Sequence, residues 1–325
     1  MHLIVKRNHH STGDVSQQVV KQFEKAIRSD KTQEINLLNS KGKLLSLIYK
    51  WLFTKFNLKF GGGLLRNKYN QTLAIHMGQE FGKSIPYFLT SNIKIAYFFD
   101  VWPYTYGSML KFLKNLNIDI LFISSKQTTN YFLSLGLKNV YWIPEAVEME
   151  AYRFNDYLAK DIDVLELGRR YSMFHEKIKL ILENNNKVHY FENPPGKIIF
   201  PTNQAFVNGL ARTKICICFP RSTTHNEVAG DVNTVTNRYF QSMASKCLIV
   251  GECPPELKVL FGYDPVITLN SSNLENEILE ILENYSKYYL LIEKNFETVR
   301  KLHSWNNRWE QMKAIINQYQ HLPII

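Results

Sequence analysis

The chain has 325 residues, a length that suits two domains of about 150 residues each, and its 45% hydrophobic and 13% aromatic content excludes an intrinsically disordered protein. The formal net charge of +10 is uneven, because residues 1–143 hold 19 Lys and Arg against 7 Asp and Glu, whereas residues 144–325 hold 20 against 22. The basic first half suits an anionic partner, namely a nucleic acid, a membrane surface or a pyrophosphate-bearing substrate.

The cysteines and the N-terminus indicate a cytoplasmic protein. Four cysteines are too few and too irregularly spaced for a disulfide framework. Cys216 and Cys218 lack the second pair of ligands that a zinc site needs, so we predict core cysteines and no bound metal. No signal peptide precedes the strand-like residues 3–5, and no apolar run reaches the roughly 18 residues of a membrane span.

The first predicted elements open a βαβ unit. Residues 2–6 predict a strand, and residues 15–27 carry apolar side chains at helical spacing, with Asp14 as a plausible N-cap. The polar loop between them contains His10 and one glycine. This loop is a candidate part of a binding site, and the alternative is a solvated surface loop.

Residues 34–38 predict a second strand, and residues 42–60 form the most amphiphilic stretch of the chain. Its broad apolar face contains leucine, isoleucine, tryptophan and phenylalanine, and lysines interleave with that face. Two interpretations stay open. The stretch is either an interfacial helix that binds an anionic membrane surface, or a core helix whose lysines extend into solvent.

Two further predicted strands end in polar residues. Residues 72–75 are followed by His76, and residues 93–99 are followed by Asp100. Because the carboxyl ends of parallel strands face the ligand crevice of an open sheet, either side chain is in a position to orient or deprotonate a hydroxyl group of a substrate. A structural hydrogen-bonding pair is the alternative. A helix at 104–117, a strand at 118–123, a helix at 125–135 and a strand at 139–143 follow.

Residues 144–160 lack sustained periodicity and read as a linker, and a new α/β pattern begins at Asp161. A strand at 162–167 ends in Gly168-Arg169-Arg170, and a helix at 172–183 contains Lys177. A guanidinium and an ammonium group together suit a pyrophosphate, although arginines on a loop are often only solvated.

The rest of the second half continues the α/β pattern. We predict strands at 188–191, 197–200 and 215–219, and then a polar loop at 222–233. In and beside this loop, the candidates for contacts to sugar hydroxyls are Arg221, Asp231 and Asn233. A helix predicted to start near Thr234 would present the backbone N–H groups around Thr234 and Val235 to a phosphate. A strand at 247–250, a strand at 266–269, helices at 272–285 and 287–302, and a last helix capped by Ser304 complete the prediction.

Residues 238–250, Arg-Tyr-Phe-Gln-Ser-Met-Ala-Ser-Lys-Cys-Leu-Ile-Val, resemble the donor-nucleotide segment of GT-B glycosyltransferases of the "group 1" type. Residues 134–148 resemble the stretch by which these enzymes leave their first domain, and Ser304-Trp305 resembles the start of their closing helix. In that family two glutamates flank the donor helix, the first contacting the donor sugar and the second the ribose. Asn233 and Gln241 stand in those places here.

The resemblance implies an α/β protein of the GT-B fold, with two Rossmann-like domains that face a cleft. The implied domains are an acceptor domain at 1–143, a linker at 144–160, a donor domain at 161–303 and a crossing helix at 304–325. The implied activity is metal-independent, retaining transfer of a hexose from a nucleotide sugar, UDP-sugar favoured, without a further cofactor. The expected acceptor is a saccharide or a lipid-linked saccharide, reached by membrane contact through 42–60, in bacterial exopolysaccharide or surface polysaccharide synthesis.

The implied site residues follow from the same resemblance. Donor contacts are expected from Arg169, Arg170, Lys177, Arg221, Asp231, Asn233, Thr234, Val235 and Gln241. Contacts to the acceptor hydroxyl are expected from His76, Asp100 or His10. Two other classes remain as alternatives: a GT-B-like binding protein without activity, prompted by the amides at Asn233 and Gln241, and a basic nucleic-acid binder. The absence of a recognised nucleic-acid motif disfavours the second alternative.

Overall fold

The computed structural model describes residues 1–5, 15–38, 47–48, 51–52, 68–78, 81–194, 196–270 and 272–320. Two parallel β-sheets organise them, one in each half of the chain. We call the first sheet with its helices the first lobe, and the second sheet with its helices the second lobe. Each sheet carries an apolar core on both faces. The predicted α/β class with two Rossmann-like units is therefore confirmed.

The first sheet has the strand order β2-β1-β3-β4-β5-β6, and all of its pairs are parallel. Its strands are β1 His2–Val5, β2 Asn36–Leu37, β3 Tyr69–Met77, β4 Ser91–Phe99, β5 Ile120–Ile123 and β6 Val140–Trp142. The helices of this lobe are α1 Val15–Ser29, α2 Ile85–Phe88, α3 Tyr106–Leu116 and α4 Lys126–Ser134. Because the strands are covered on both faces, they are nearly continuous apolar runs, as β5 with Ile-Leu-Phe-Ile illustrates.

The second sheet has the order β10-β9-β7-β8, and its pairs are also parallel. Its strands are β7 Ile162–Glu166, β8 His189–Tyr190, β9 Thr213–Cys218 and β10 Leu248–Gly251. The helices are α5 Ser172–Asn184, α6 Asn203–Ala211, α7 Arg221–Thr224, α8 Asn226–Ala229, α9 Asn237–Ala244, α10 Pro255–Phe261, α11 Leu274–Glu283 and α12 Tyr289–Leu302. The buried segment Tyr239, Phe240, Met243 and Ala244 of α9 packs on this sheet, as its spacing predicts.

The last helix, α13 Trp305–Gln320, returns to the first lobe. Trp305, Trp309 and Met312 join the core that α1 forms on the first sheet. The Asn307 N–H donates to Ser304 Oγ over 3.1 Å, so Ser304 caps this helix as predicted. The buried Arg308 donates from Nε to the Pro144 carbonyl over 3.1 Å. The helix thus ties the linker to the first lobe.

Four predicted elements were wrong in the second half. Residues 266–269 form no strand, because only Ile267 pairs with the second sheet, in an isolated bridge to Val250. Residues 197–200 form no strand, because Phe200 packs against Gly209 of α6 so closely that a Cβ at Gly209 would lie 2.2 Å from the ring. The predicted polar loop at 222–233 contains the short helices α7 and α8. The donor helix begins at Asn237 and not near Thr234, because Thr234 and the Val235 N–H are bonded to Glu256 while the chain is still extended.

Candidate functional site

The two lobes face each other where their strands end. Asp100 follows β4 of the first sheet, and its backbone has the left-handed φ of +50° that few non-glycine residues adopt. Arg169 follows β7 and Arg221 follows β9 in the second sheet. Glu145 lies in the linker between the lobes, and Arg238 lies in the first turn of α9. Side chains from both lobes therefore converge at the carboxyl ends of the strands, where ligands bind in open α/β sheets.

Three arginines share this cleft. Burial, together with the charges of Arg238 and Arg221, lowers the pKa of Arg169 to about 10, which leaves it protonated at neutral pH. Arg238 donates hydrogen bonds to backbone carbonyl groups just beyond the ends of two strands, over 2.5 Å to Leu167 and 3.3 Å to Phe219. It therefore frames the site. Crowded cations repel one another, so the cleft favours an anion.

Two carboxyl groups offset part of this positive charge. Burial raises the pKa of Asp100, and the charges of Arg169 and Arg221 oppose that rise. Burial and the negative charges of Asp100 and Glu256 raise the pKa of Glu145 to about 8, against a hydrogen bond from the Asn237 backbone N–H. A pair of acids with raised pKa values in a cleft is typical of functional sites.

Hydrogen bonds connect the lobes along one side of the cleft. The Lys126 N–H, at the first residue of α4, donates to Glu256 Oε2 of the second lobe over 3.0 Å. The Gln127 side chain donates to the Asp231 carbonyl over 3.1 Å and accepts from the Asn233 N–H over 2.8 Å. We call these five residues the interlobe latch. An anionic carboxylate at the N-terminus of α4 complements the helix dipole, so the latch stabilises the observed approach of the lobes.

An apolar contact supports the latch. Trp102 of the first lobe packs against Ala229 and Val232 of the second. The Arg221 guanidinium lies 5.1 Å from the centre of the Trp102 ring, within the range of a cation–π contact. The indole ring therefore holds Arg221 at the mouth of the cleft.

Buried polar atoms without a hydrogen-bond partner concentrate around this cleft. Among the described residues, those close to the site are Arg169 Nε, Arg221 Nε, Ser222 Oγ, His225 Nδ1, Asn233 Oδ1, Thr236 Oγ1, Asn237 Oδ1 and Gln241 Oε1. Leaving a buried polar group unpaired costs roughly 1–3 kcal/mol, and such groups are rare in folded proteins unless something else pairs with them. Their concentration marks the cleft as a site for a polar ligand.

Of the predicted diphosphate-binding cations, the structure brings Arg169 into the cleft and directs the other two elsewhere. Arg170 contacts His175 Nε2 over 3.0 Å and lies 5.6 Å from the centre of the Phe191 ring. Lys177 lies on the exposed face of α5. The side chains of Arg169 and Arg170, adjacent in the sequence, thus point in different directions, since His175 of α5 holds Arg170.

The predicted amide and acid contacts of the second lobe have partners within the protein. Asn233 donates from Nδ2 to Glu252, and the hydroxyl of Thr234 donates to Glu256. Asp231 is exposed at the latch. Gln241 is 1% exposed and donates from Nε2 to the Tyr152 hydroxyl over 2.9 Å.

Of the three residues predicted to act on the acceptor, only Asp100 is seen in the cleft. His76 is 3% exposed, and its ring stacks on Phe98 and approaches Ser84 Oγ at 3.3 Å. It shares the face of β3 with Ala74, which packs in the core beneath α3. His10 lies outside the described residues.

Three acids and Arg238 are site residues that the sequence analysis did not select. Glu145 belongs to the Pro-Glu-Ala-Val stretch of the linker, and Arg238 opens the donor segment, so both lay inside segments that the resemblance had singled out. Glu252 and Glu256 follow β10, and no sequence pattern distinguishes them from surface acids. Their roles depend on contacts with residues 19 and 22 positions away.

Among the described residues, one group has the composition of a metal site: Glu166, His175 and His189. His175 Nδ1 lies 2.5 Å and His189 Nε2 lies 2.9 Å from Glu166 Oε1. Because an Arg170 N–H donates to His175 Nε2, that nitrogen is unprotonated and the proton is on Nδ1, which points at Glu166. With no free lone pair on Nδ1, the three residues and Arg170 form a hydrogen-bonded network in this arrangement. We call it the histidine network.

The fold was compared with solved structures. HepE from Anabaena, in complex with UDP and glucose, has a TM-score of 0.61 at 9% identity, covering 97% of this chain and 99% of HepE. An alpha-glucosyltransferase bound to UDP and a DNA 13-mer has a TM-score of 0.57 at 12% identity, covering 97% and 98%. TarM of S. aureus has a TM-score of 0.54 at 14% identity, and the match covers 76% of this chain but only 55% of TarM.

The chain thus spans about half the length of TarM, whereas it matches HepE over nearly its whole length. At these identities the similarity establishes the GT-B fold, and one fold hosts many activities. No protein-family model and no curated protein matches the sequence. In the part of the chain that the structure describes, no helix combines the length and the apolar character needed to cross a bilayer.

Proposed function

We propose that the chain is a nucleotide-sugar-dependent glycosyltransferase that binds its donor diphosphate in the cleft between the lobes. The observation that carries this proposal is the combination of crowded arginines and unpaired buried polar atoms in that cleft. The GT-B neighbours that are seen with UDP, such as HepE, support a uridine nucleotide as the donor.

The proposed chemistry is breakage of the bond between the sugar anomeric carbon and the diphosphate oxygen. The bonding electron pair goes to that oxygen, and the acceptor oxygen forms the new bond to the anomeric carbon. Arg169 and Arg221 would stabilise the negative charge that develops on the leaving diphosphate, since fixed cations in a dry cleft act most strongly there. In this proposal the guanidinium groups take the part that a metal ion has in other transferases.

Asp100 is the proposed contact for the acceptor hydroxyl. Its carboxylate lies at the end of β4 on the side of the first lobe, opposite the arginines of the second lobe. A base within hydrogen-bond reach of the hydroxyl would receive its proton as the new bond forms. Retention of the anomeric configuration remains part of the proposal, as the family resemblance implies.

Asn233 and Gln241 are the proposed amide contacts for the donor sugar and the ribose. Each keeps an unpaired side-chain oxygen in the structure, so each has the capacity to accept one hydrogen bond from a ligand hydroxyl. Lys177 and Arg170, which lie away from the cleft, would reach the donor only after a rearrangement of the loop after β7.

The proposed acceptor is a saccharide on a membrane-bound carrier, in surface polysaccharide synthesis. Of the stretch 42–60, the described residues Leu47, Ile48 and Trp51 are 55%, 44% and 51% exposed. An exposed tryptophan and exposed aliphatic side chains among lysines suit an anionic bilayer surface. DNA is the second candidate acceptor, favoured by the basic first half and by the DNA-bound alpha-glucosyltransferase.

The first test is a thermal-shift screen of the whole protein against UDP-, GDP- and ADP-sugars, followed by hydrolysis and transfer assays with the best donor. We expect UDP-sugars to raise the melting temperature, because a ligand bound only by the folded state stabilises it. Asp100→Asn should lower transfer more than donor binding, and Arg212→Gln, a matched change of an exposed arginine, should alter neither. If no nucleotide sugar raises the melting temperature, the proposed function is wrong.

Sedimentation tests the acceptor. At low salt, vesicles that contain anionic lipid should sediment the protein, and neutral vesicles should not. If duplex DNA retains the protein and anionic vesicles do not, the membrane-linked acceptor is wrong and DNA takes its place.

A further inference from the structure

Glu252 occupies a fixed position directly after β10, at the carboxyl end of the second sheet. Its backbone N–H donates to the Cys218 carbonyl over 3.0 Å, and its carbonyl accepts from the Tyr239 hydroxyl over 2.6 Å. The preceding residue, Gly251, approaches β9 so closely that a Cβ there would lie 2.1 Å from the Cys218 carbonyl oxygen. The Glu252 carboxylate therefore extends from a well-held backbone at the end of the sheet where ligands bind.

The Glu252 carboxylate joins the two ends of the stretch 221–233. Oε2 accepts from the Thr223 hydroxyl, and Oε1 accepts from Asn233 Nδ2 over 2.5 Å. Thr223 lies on the same short helix as Arg221, the proposed diphosphate contact. One acid thus holds both the helix that carries Arg221 and the amide that is the proposed contact for the donor sugar.

The contact with Glu252 determines which atom of the Asn233 amide remains for a ligand. A carboxylate only accepts hydrogen bonds, so the NH2 group of the amide, and not its oxygen, lies against Glu252. The Asn233 backbone is held separately, because its N–H donates to Gln127 Oε1 over 2.8 Å. The remaining polar atom, Oδ1, is buried and has no partner within the part of the chain that the structure describes. Asn233 therefore presents an acceptor in one orientation.

We propose that Glu252 is a positioning residue that makes Asn233 a hydrogen-bond acceptor for a hydroxyl group of the donor hexose. The carboxylate orients the amide, and its charge polarises the N–H group so that Oδ1 accepts more strongly. The negative charge of this contact is on Glu252, while the atom that meets the sugar is on Asn233. This inference rests on the proposed function, since it adds a second residue to the proposed contact with the donor sugar.

Calorimetry of UDP and of UDP-glucose binding to the full chain tests this role. The readout is the ratio of the UDP-glucose affinity to the UDP affinity, because a change of charge in the cleft affects both ligands. Asn233→Asp places a second carboxylate against Glu252, and their repulsion turns the new side chain out of position. The ratio should fall about threefold to tenfold, as expected for the loss of one neutral hydrogen bond.

A second substitution should restore the contact. In Asn233→Asp/Glu252→Gln the glutamine NH2 group donates to the aspartate, whose other oxygen accepts from the sugar, and the net charge equals that of the wild type. The ratio should return to within about twofold of the wild-type value, since one hydrogen bond replaces another. Asn36→Asp is the matched control, because Asn36 Nδ2 donates to Glu34 Oε1 over 3.1 Å beside the edge strand β2 of the first sheet.

The outcomes separate this inference from the proposed function. Asn233→Ala removes the amide without adding charge, so it gives the ratio of a lost contact even if Asn233→Asp does not fold. If the double variant has the same low ratio as Asn233→Ala, or if Asn233→Ala keeps the wild-type ratio, the role of Glu252 is overturned although UDP still binds. If the wild type binds neither UDP nor UDP-glucose, the proposed function itself fails.

Discussion

The cleft and the histidine network are two buried charged clusters that begin at adjacent residues, Arg169 and Arg170. In the histidine network most donors and acceptors are paired: Arg170 donates to His175, both histidines donate to Glu166, and His189 Nδ1 is the buried nitrogen left without a partner. In the cleft, arginines crowd together and several polar atoms have no partner. A cluster whose hydrogen-bonding groups are mostly paired within the protein supports the fold. A cluster with many unpaired hydrogen-bonding groups is suited to binding a ligand.

The largest expected effect comes from a substitution that breaks the histidine network. Glu166→Ala should destabilise the fold by about 3 kcal/mol, because it leaves two buried histidines and an arginine without their acceptor. Urea unfolding measures the change, and Glu176→Ala on the exposed face of α5 is the control. A loss below about 1 kcal/mol would mean that the network contributes no more than surface pairs do.

In the cleft, replacing one charged side chain should weaken UDP binding without lowering the stability of the fold. Arg169→Gln should lower UDP affinity by about 30-fold to 150-fold, since a charge-assisted contact to a phosphate contributes roughly 2–3 kcal/mol. Its stability should stay level or rise, because one of three crowded cations is removed. Calorimetry and urea unfolding check the two parts. A variant that binds UDP normally would remove Arg169 from the donor site.

The cleft and the histidine network also differ in how their glutamates titrate, since the pKa of Glu145 is raised and the pKa of Glu166 is lowered. Because hydrogen bonds from the two histidines lower the pKa of Glu166, it stabilises the fold at neutral pH and this contribution is lost as pH falls below about 4.5. Glu145 has a raised pKa of about 8, so its contribution is present at acidic pH and is lost as pH rises from about 4.5 to 8.

Glu145→Gln should therefore gain about 1–2 kcal/mol relative to wild type between pH 5 and pH 8, and Glu166→Gln should not. Stability curves in urea at three pH values measure both variants. Parallel curves for the two variants would contradict the distinction between the clusters.

How far the sequence alone predicts these regions depends on the range of the contacts. The donor segment at 238–250 is local, and its helix and strand follow from apolar spacing. The sequence also indicates that β7 ends at a pair of arginines, but not which one enters the cleft, because that depends on His175 in the next helix. Glu145 meets Asn237 across 92 positions, and no pattern in one sequence reports such a contact.

Strand alternation has a similar limit. The end of β3 was predicted to carry His76 near the crevice, and the histidine does follow the apolar run. Alternation along a strand assigns Ile75 and His76 to opposite faces, but not which face a helix covers. The face with His76 lies beneath α3, and the ring is buried against Phe98.

The smallest expected effect concerns the interlobe latch. Glu256→Gln removes the charge that Lys126 N–H meets across the cleft and should weaken the latch by about 1 kcal/mol. The radius of gyration in solution should increase, and UDP affinity should fall about threefold to fivefold, since a looser cleft must close on binding. Glu277→Gln, which accepts from the Asn270 N–H within the second lobe and away from the cleft, is the control. Equal behaviour of both variants would show that Glu256 does not hold the lobes together.

A crystal structure of the protein with UDP tests the central claim most directly. The account predicts diphosphate oxygens within hydrogen-bond distance of the Arg169 or Arg221 guanidinium. A nucleotide bound elsewhere, or a diphosphate in the cleft that contacts neither arginine, would contradict it.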